Sequence, residues 1–320
     1  MGAVIVLITL LVGLLSGLTA GLGQQNISAI ADLPADRITF SNQLSYADST
    51  VTAEQWHRWS HVPGVTSAEP IGISTTKATA GSRGVTVSAF GVRPGSTLAR
   101  VGPDEVILSV PAAADLGVTG GDVITLGGRQ RRVAAVRGDA AFSHLPVVWT
   151  TLDGDATVLA LRTDGADVAA ADRAIGTRTV RRDVSYAAIG SYRSENGSLQ
   201  LMRGFLFAIA ALVIGAFFTV WTIQRGPDIA VLKALGASTA ALLRDALGQA
   251  AVLLLAGTLI GAALAAAVGA AVAGTVPFQL TPSTLLLPAA VMTALGMLGA
   301  ALSIRRITTV DPLTALGSAR

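Results

Sequence analysis

The sequence contains no cysteine, so neither disulfides nor thiol chemistry hold any part of it together. It is also poor in charge. Charged residues make up 13% of the 320 residues, where a soluble domain of this size carries about a quarter. From residue 246 to residue 304 there is no charged side chain at all. Catalytic signatures are missing too. There is no G-x-x-x-x-G-K-[ST] phosphate loop, no G-x-S-x-G elbow and no convincing pair of catalytic carboxylates. No basic cluster with interleaved aromatics occurs, and the net charge is only +3, which argues against nucleic-acid binding. The chain therefore reads as a non-catalytic protein with no ATP site of its own.

What is present is hydrophobic residues, 51% of the chain with a mean hydropathy of +0.60. A membrane span needs about 20 apolar residues. Residues 3–22 and 204–223 each meet that length without a charge, and 246–304 is long enough for two crossings. The prolines and glycine of GTVPFQLTPS, 274–283, mark the break within it. The predicted spans lie near 3–23, 199–223, 244–273 and 283–304. Lys and Arg in short loops set orientation. The loop after the second span carries Arg225, Lys233 and Arg244, the tail carries Arg305, Arg306 and Arg320, and the 274–283 turn carries none. Both basic segments are therefore expected in the cytoplasm, together with the N- and C-termini, and residues 24–198 outside.

The expected fold is a multi-pass membrane protein: four transmembrane α-helices, with an α+β extracytoplasmic domain inserted between the first and second. In order, 1–23 is the first transmembrane helix, 24–198 the domain and 199–223 the second helix. Residues 224–243 are a cytoplasmic loop, 244–304 the third and fourth helices, and 305–320 a cytoplasmic tail. Met1-Gly2 enters the first span without a basic flank, from which a longer natural N-terminus is expected.

Within the domain, TAEQWHRWSHVPGV (52–65) begins with a threonine cap and reads as a short helix ending before Pro63-Gly64. VTVSAFGV (85–92) alternates as a strand. Residues 105–136 read as strand, short helix, Gly-Gly turn and hairpin; 147–152 and 157–162 as strands; 166–176 as a helix; 190–198 as a linker.

The cytoplasmic loop is more specific. Gly226-Pro227-Asp228 starts a helix, since proline is tolerated in the first turn and an acid suits the positive end. Ile229, Leu232 and Leu235 follow at helical spacing, with Val231 beside them and Lys233 among them. Gly236 ends the helix and Ser238 can cap the next. This apolar stripe has no membrane depth to hide in. It must lie on the membrane surface or in a groove of another protein.

DIAVLKALGAS (228–238) resembles the coupling-loop motif of MacB/FtsX-type ABC transporter permeases. So does the plan of one span, a large external domain and three spans. The tail element Asp311, Pro312, Ala315 and Leu316 fits the same pattern. The resemblance implies that Asp228, Ile229, Leu232, Lys233, Leu235 and Gly236 seat in a cleft of a separate ATPase subunit. Two ATPase copies would serve two copies of this chain. SGLTAGLGQQNISAI (16–30) and SYRSENGSLQLMRGFLFAIAALVIGAFFTVWTIQ (191–224) resemble the corresponding pieces of hemin-exporter permeases, the HrtB/DevC-like branch. That resemblance implies export of heme or a similar amphiphile from the bacterial cell membrane, with heme as cargo rather than as a permanent cofactor.

Candidate ligand residues follow from that implication. Glu195 lies at a membrane edge, where an acid is costly unless it faces water, a cavity or a partner. Tyr192 and Met202 are near it in sequence, and both residue types can ligate heme iron. Phe40 offers a ring for stacking. The plainer reading is a solvated glutamate and a lipid-facing or packed methionine. Gly13, Gly17 and Gly21, spaced by four, would let a helix approach closely, either the second span or a second copy of the chain. His57 and His61 share a helix face but lack a third ligand, so no metal site is expected, and His144 stands alone. Set against export is an FtsX-like mechanotransmitter, which regulates an external enzyme or sensor and transports nothing.

Overall fold

The computed structural model describes residues 2–227, 231–232, 235–272 and 274–308. Among the described residues, four helices are long and apolar enough to cross a membrane: α1 (Gly2–Ala31), α6 (Gly190–Gln224), α7 (Thr239–Val272) and α8 (Pro282–Thr308). The chain divides into two compact units, one of Met1–Gly21 with Ser198–Arg320 and one of Leu22–Gly197. Both unit boundaries fall inside helices. α1 continues past the expected end of the first span, through residue 31. The stretch 190–198, expected as a linker, is instead the beginning of α6. Its serines and glycine are weak helix formers. Tertiary hydrogen bonds from Ser191 and Glu195, described below, hold it helical.

The helical unit is organised by small residues. A Cβ on Gly257 would lie 2.7 Å from Ile5 Cγ2, and one on Gly261 would lie 2.7 Å from Thr9 Cβ. On Gly13 it would lie 2.9 Å from Ala265 Cβ. The pairs 5/257, 9/261 and 13/265 rise together, so α1 and α7 run parallel with backbones in near contact. Further along, the Phe278 ring wedges between Gly17 and Gly269, and the Pro277 carbonyl covers Gly21. The backbone N–H of Gln279 donates to the Gly17 carbonyl at 3.1 Å. The face of Gly13, Gly17 and Gly21 is therefore filled by α7 and the following turn, not by the second span or a second copy. Ile5, Val12, Ile214, Phe218, Leu254 and Met292 form the buried centre of this unit. Arg225 at the end of α6 donates to Gln249 of α7, which donates to Asp245 at 2.9 Å.

The second unit is a mixed sheet of ten strands with short helices. Its order is β10-β1-β9-β2-β3-β8-β4-β6-β5, with β7 (Ala141–Phe142) paired to β8. The flanking strands are β1 (Arg37–Phe40), β9 (Val158–Thr163) and β10 (Arg178–Arg181). A further pairing joins β5 (Val123–Leu126) back to β2 (Val65–Ala80) through Ala78↔Leu126 and Thr79↔Thr125. Strands β2, β3 (Arg83–Val92), β8 (Leu145–Thr151), β4 (Glu105–Leu108), β6 (Arg129–Val136) and β5 thus close into a six-stranded barrel. Alternation fixes the two faces. Ala78, Val87, Ala89, Val106, Leu108, Ile124, Leu126, Val133 and Val148 face the interior. There they meet Ala112, Ala113 and Leu116 of α3 (Val110–Leu116), whose glycine C-cap, Gly117, has φ +67°.

The opposite face carries a second core. Ala29 and Ile30 of α1 pack there with Ile38, Phe40, Ile71, Phe90, Val147 and Val158. The few aromatics of the domain form an edge-to-face chain: Phe40–Tyr46, Tyr46–Phe142, Phe142–Phe90 and Phe90–Trp149, with centroids 4.9–5.5 Å apart. Helices α2 (Ala53–Ser60) and α4 (Val168–Ile175) cover β9 through Trp59, Ala171 and Ile175. Thr52 caps α2 in a capping box closed by Gln55. The short α5 (Arg182–Ser185) leads toward α6.

Candidate functional site

Three elements of the second unit converge on one carboxylate. The first is the α1 segment around Asn26, the second the two-residue turn Ser143-His144 between β7 and β8, and the third the start of α6. His144 Nε2 lies 2.8 Å from Glu195 Oε2 and 3.0 Å from Oε1. Asn26 Nδ2 donates to Glu195 Oε2 at 3.0 Å and approaches His144 Nε2 at 2.8 Å. The amide is oriented by Ser191, whose hydroxyl donates to Asn26 Oδ1 at 2.5 Å. Ser191 is in turn 2.8 Å from the Ser143 hydroxyl. With Asn26 Oδ1 occupied, its N–H points at Glu195. His144 Nε2 is a second donor to the carboxylate when it carries the proton, and an acceptor for Asn26 Nδ2 when it does not.

The turn itself is unusual chemistry for its geometry. Ser143 and His144 have φ of +53° and +63°. Two-residue hairpins of this kind favour Asn-Gly, because a residue with a Cβ costs about 1–2 kcal/mol in the left-handed region. Hydrogen bonds to α1 compensate: Ser143 N–H donates to the Asn26 carbonyl and His144 N–H to the Gln25 carbonyl, both at 3.1 Å. Ser28 of α1 also brackets Ala141, donating to its carbonyl at 3.1 Å and accepting from its N–H at 2.8 Å. Phe142, inside the aromatic chain, anchors the strand leading into the turn. Asn26 is buried, whereas the side chains of His144 and Glu195 keep 31% and 41% of their surface exposed. The arrangement presents an accessible carboxylate–imidazole pair on a rigid base, able to accept a donor, pair with a cation or ligate iron.

Of the residues nominated from sequence, Glu195 sits in this cluster. Tyr192 packs against the aromatic core, its ring 6.2 Å from that of Tyr186. Met202 lies farther along α6, about half exposed. Phe40 is a correction: it is fully buried against Tyr46 and offers no ring face to a ligand. His144 is a second correction, since it is paired and not alone. It and Asn26 stand 51 and 169 residues from Glu195, and no local spacing marks such a meeting. His57 and His61 are exposed, with His61 Nδ1 2.7 Å from the His57 carbonyl oxygen. Among the described residues no three His, Asp or Glu side chains gather as a metal site.

Nearby in the same unit, Asp32 follows the end of α1. Burial and the neighbouring Asp139 push its carboxyl up, against the opposing pull of Arg182. Tyr46, whose hydroxyl donates to Ser185 at 3.0 Å, is raised well beyond the usual phenol range by burial.

In the other unit, the loop after α6 shows a helix end. Ala237 N–H donates to the Leu232 carbonyl at 3.0 Å and Gly236 has φ +95°, the left-handed closure that glycine favours. The Ser238 hydroxyl accepts from Ala241 N–H at 3.2 Å, capping α7. Val231, Leu232 and Leu235 are 61%, 46% and 80% exposed. Asp228, Ile229 and Lys233, with the tail residues Asp311, Pro312, Ala315, Leu316 and Arg320, lie outside the described residues.

Comparison with known proteins bears on both sites. The family described as "FtsX-like permease C-terminal" matches residues 201–312. A hemin transport system permease protein HrtB of Staphylococcus haemolyticus is 37% identical over 142 residues, covering 44% of this chain and 40% of the relative. The chain's match thus spans well under half the length of that relative. An uncharacterized ABC transporter permease of Mycobacterium tuberculosis is 27% identical over 273 residues, covering 80% of this chain and 76% of the relative. The periplasmic region of MacB from Actinobacillus actinomycetemcomitans aligns over 48% of this chain and 92% of its own, with 12% identity and a TM-score of 0.38. The extracellular domain of the ABC-type transporter YknZ aligns over 46% and 98%, with 14% identity and a TM-score of 0.36. The fold of the inserted domain is accordingly taken from its own strands. Residues 201–312 are thus similar to the C-terminal domain of FtsX-like permeases, and the relatives that align over most of the chain are ABC transporter permeases.

Proposed function

We propose that this chain is the permease subunit of an exporter that moves heme, or a flat amphiphile like it, out of the membrane. A separate ATPase supplies the energy, two copies of it serving two copies of this chain. The termini and the loop around Leu232 are cytoplasmic, and Leu22–Gly197 is external. The observation that carries the substrate reading is the convergence of His144 and Asn26 on Glu195. An iron porphyrin takes imidazole or oxygen ligands, and Asn26 and Glu195 lie in the two segments, 16–30 and 191–224, that resemble hemin-exporter permeases. Tyr192 and Met202 are secondary candidates. The naming of relatives as hemin transport permeases is consistent with this reading.

For the energy input, the exposed Val231, Leu232 and Leu235 support docking into an apolar cleft of the ATPase. Closure of the ATPase pair would then move α6 and α7, the helices that flank this loop.

The test is ATP hydrolysis by the permease–ATPase complex in lipid, titrated with hemin and with control amphiphiles. Hemin-selective stimulation that weakens in Glu195→Ala is the expected result. Hydrolysis indifferent to hemin, yet still dependent on Leu232, would replace export with mechanotransmission to an external enzyme or sensor.

A further inference from the structure

The barrel of the second unit is filled at one end only. Following the interior-facing alternation away from α3 leads along β2 from Ala78 to Thr76, Ser74 and Gly72. On β3 it leads from Ala89 to Gly91, on β8 from Val148 to Thr150 and Leu152, and on β6 from Val133 to Arg131 and Arg129. These residues line a cavity of about 380 Å³ at the open mouth, with Leu126 also in its wall. The register that builds an apolar core at one end therefore builds a polar cup at the other.

Two features give the cup a chemical preference. Arg131 retains only 8% of its side-chain exposure, yet its counter-ions stand in solvent. Asp104, at 2.8 Å, is 85% exposed. Asp153, 65% exposed, is 3.9 Å away and shared with Arg129, which it accepts from at 2.8 Å. Water screens such partners, so they neutralise a buried guanidinium poorly. The second feature is the hydroxyls. Ser74, Thr76 and Thr150 line the cavity, and none of the three makes a hydrogen bond to protein among the described residues. Glycines let Leu152 pack closely into the wall: a Cβ on Gly72 would meet Leu152 Cδ1 at 2.5 Å, and one on Gly91 would meet Leu152 Cα at 3.0 Å.

We infer that the mouth of this barrel is a binding site for a small free carboxylate. Arg131 pairs with it and the hydroxyls of Ser74, Thr76 and Thr150 donate to its oxygens. A guanidinium fork matches a carboxylate in two parallel hydrogen bonds, and a cavity of this volume suits a small molecule. Asp153 and Asp155 also line the cavity and repel an acid in proportion to its charge, so a monocarboxylate is favoured over a polyacid. The site stands independently of the export reading.

Calorimetry on the full chain in lipid nanodiscs would test it, with acetate, succinate and citrate as probes, chloride at matched ionic strength and glucose as the neutral control. Saturable binding of at least one acid is expected. It should weaken about tenfold or more in Arg131→Gln and roughly threefold in Thr150→Val. Thr150→Val removes one hydroxyl without touching the ion pairs, so its unliganded melting temperature should match the parent. No saturable binding of any of the three acids would overturn the proposal. So would acid binding unaltered in Thr150→Val and Arg131→Gln alike, or binding of glucose in their place.

Discussion

His144 Nε2 and Glu195 Oε2 meet at 2.8 Å across a separation of 51 residues, on a turn and a helix that share no strand. Both side chains are about a third or more exposed, so as a structural contact alone the pair contributes about 0.2–1 kcal/mol. A double-mutant cycle with His144→Ala and Glu195→Gln, read by thermal unfolding, should give a coupling in that range. Read by hemin-stimulated hydrolysis, either single change should lose nearly as much as both together. Additive losses in the second assay would separate the two residues functionally.

The left-handed backbone at residue 144 predicts an inverted substitution order. His144→Gly and His144→Ala both remove the imidazole, but only alanine retains the Cβ. The glycine variant should be more stable than the alanine variant by about 1–2 kcal/mol, visible as a higher melting temperature. Equal stability would mean that residue 144 is not held at φ +63°.

The wedge of Phe278 between Gly17 and Gly269 predicts compensation. Gly17→Ala forces a methyl into the ring and should cost about 1–3 kcal/mol by overpacking. Combined with Phe278→Ala, the added cost of Gly17→Ala should largely vanish, because the ring it strikes is gone. Unfolding of the three variants in one detergent or lipid checks this, and strict additivity would refute the contact.

Leu232→Asp places a charge on the exposed apolar stripe. It should abolish permease-dependent stimulation of the ATPase, because the charge would be buried without a partner, while Leu232→Met should retain it. Full coupling in the aspartate variant would remove this loop from the ATPase interface.

Asp32 carries a pH signature. Its carboxyl is raised in the folded chain by burial and by Asp139, so the folded state holds this proton more tightly than the unfolded one. The resulting penalty is absent below the ordinary carboxylate range and develops as pH rises from there through the folded value. Asp32→Asn should therefore leave stability at low pH nearly unchanged and raise it at neutral pH. A variant less stable at neutral pH would contradict the direction.

The elements most readable in the sequence were those set by local pattern. Long charge-free runs specify spans, Thr52 and Ser238 cap helices, and Gly236 ends one, because each acts within a few residues. The strand at 85–92 shows its alternation, and the same alternation later sorts Val87 and Ala89 from Phe90. What could not be read are meetings at long range. Asn26 and Glu195 approach only because α1 and α6 both run beyond the lengths their apolar residues require. The closure of the barrel rests on two residue pairs, Ala78↔Leu126 and Thr79↔Thr125. Phe40 misled because an aromatic next to a span has the same composition whether it stacks on a ligand or fills a core. The spacing of Gly13, Gly17 and Gly21 announced close approach without announcing to what.

Barrel closure also bears on solubility. Sheet edges recruit other chains through unpaired backbone groups, and joining β5 to β2 removes the edge that β5 would leave. On the other side the sheet ends at β10, which pairs only with β1. That strand is four residues long and begins and ends in exposed arginines, Arg178 and Arg181, with Arg37 opposite Arg181. Short length and like charge are the features by which exposed strands resist self-pairing. The domain thus guards its one terminal strand against fibrillar association with its own copies, a hazard that rises when many identical chains are confined to a single membrane surface.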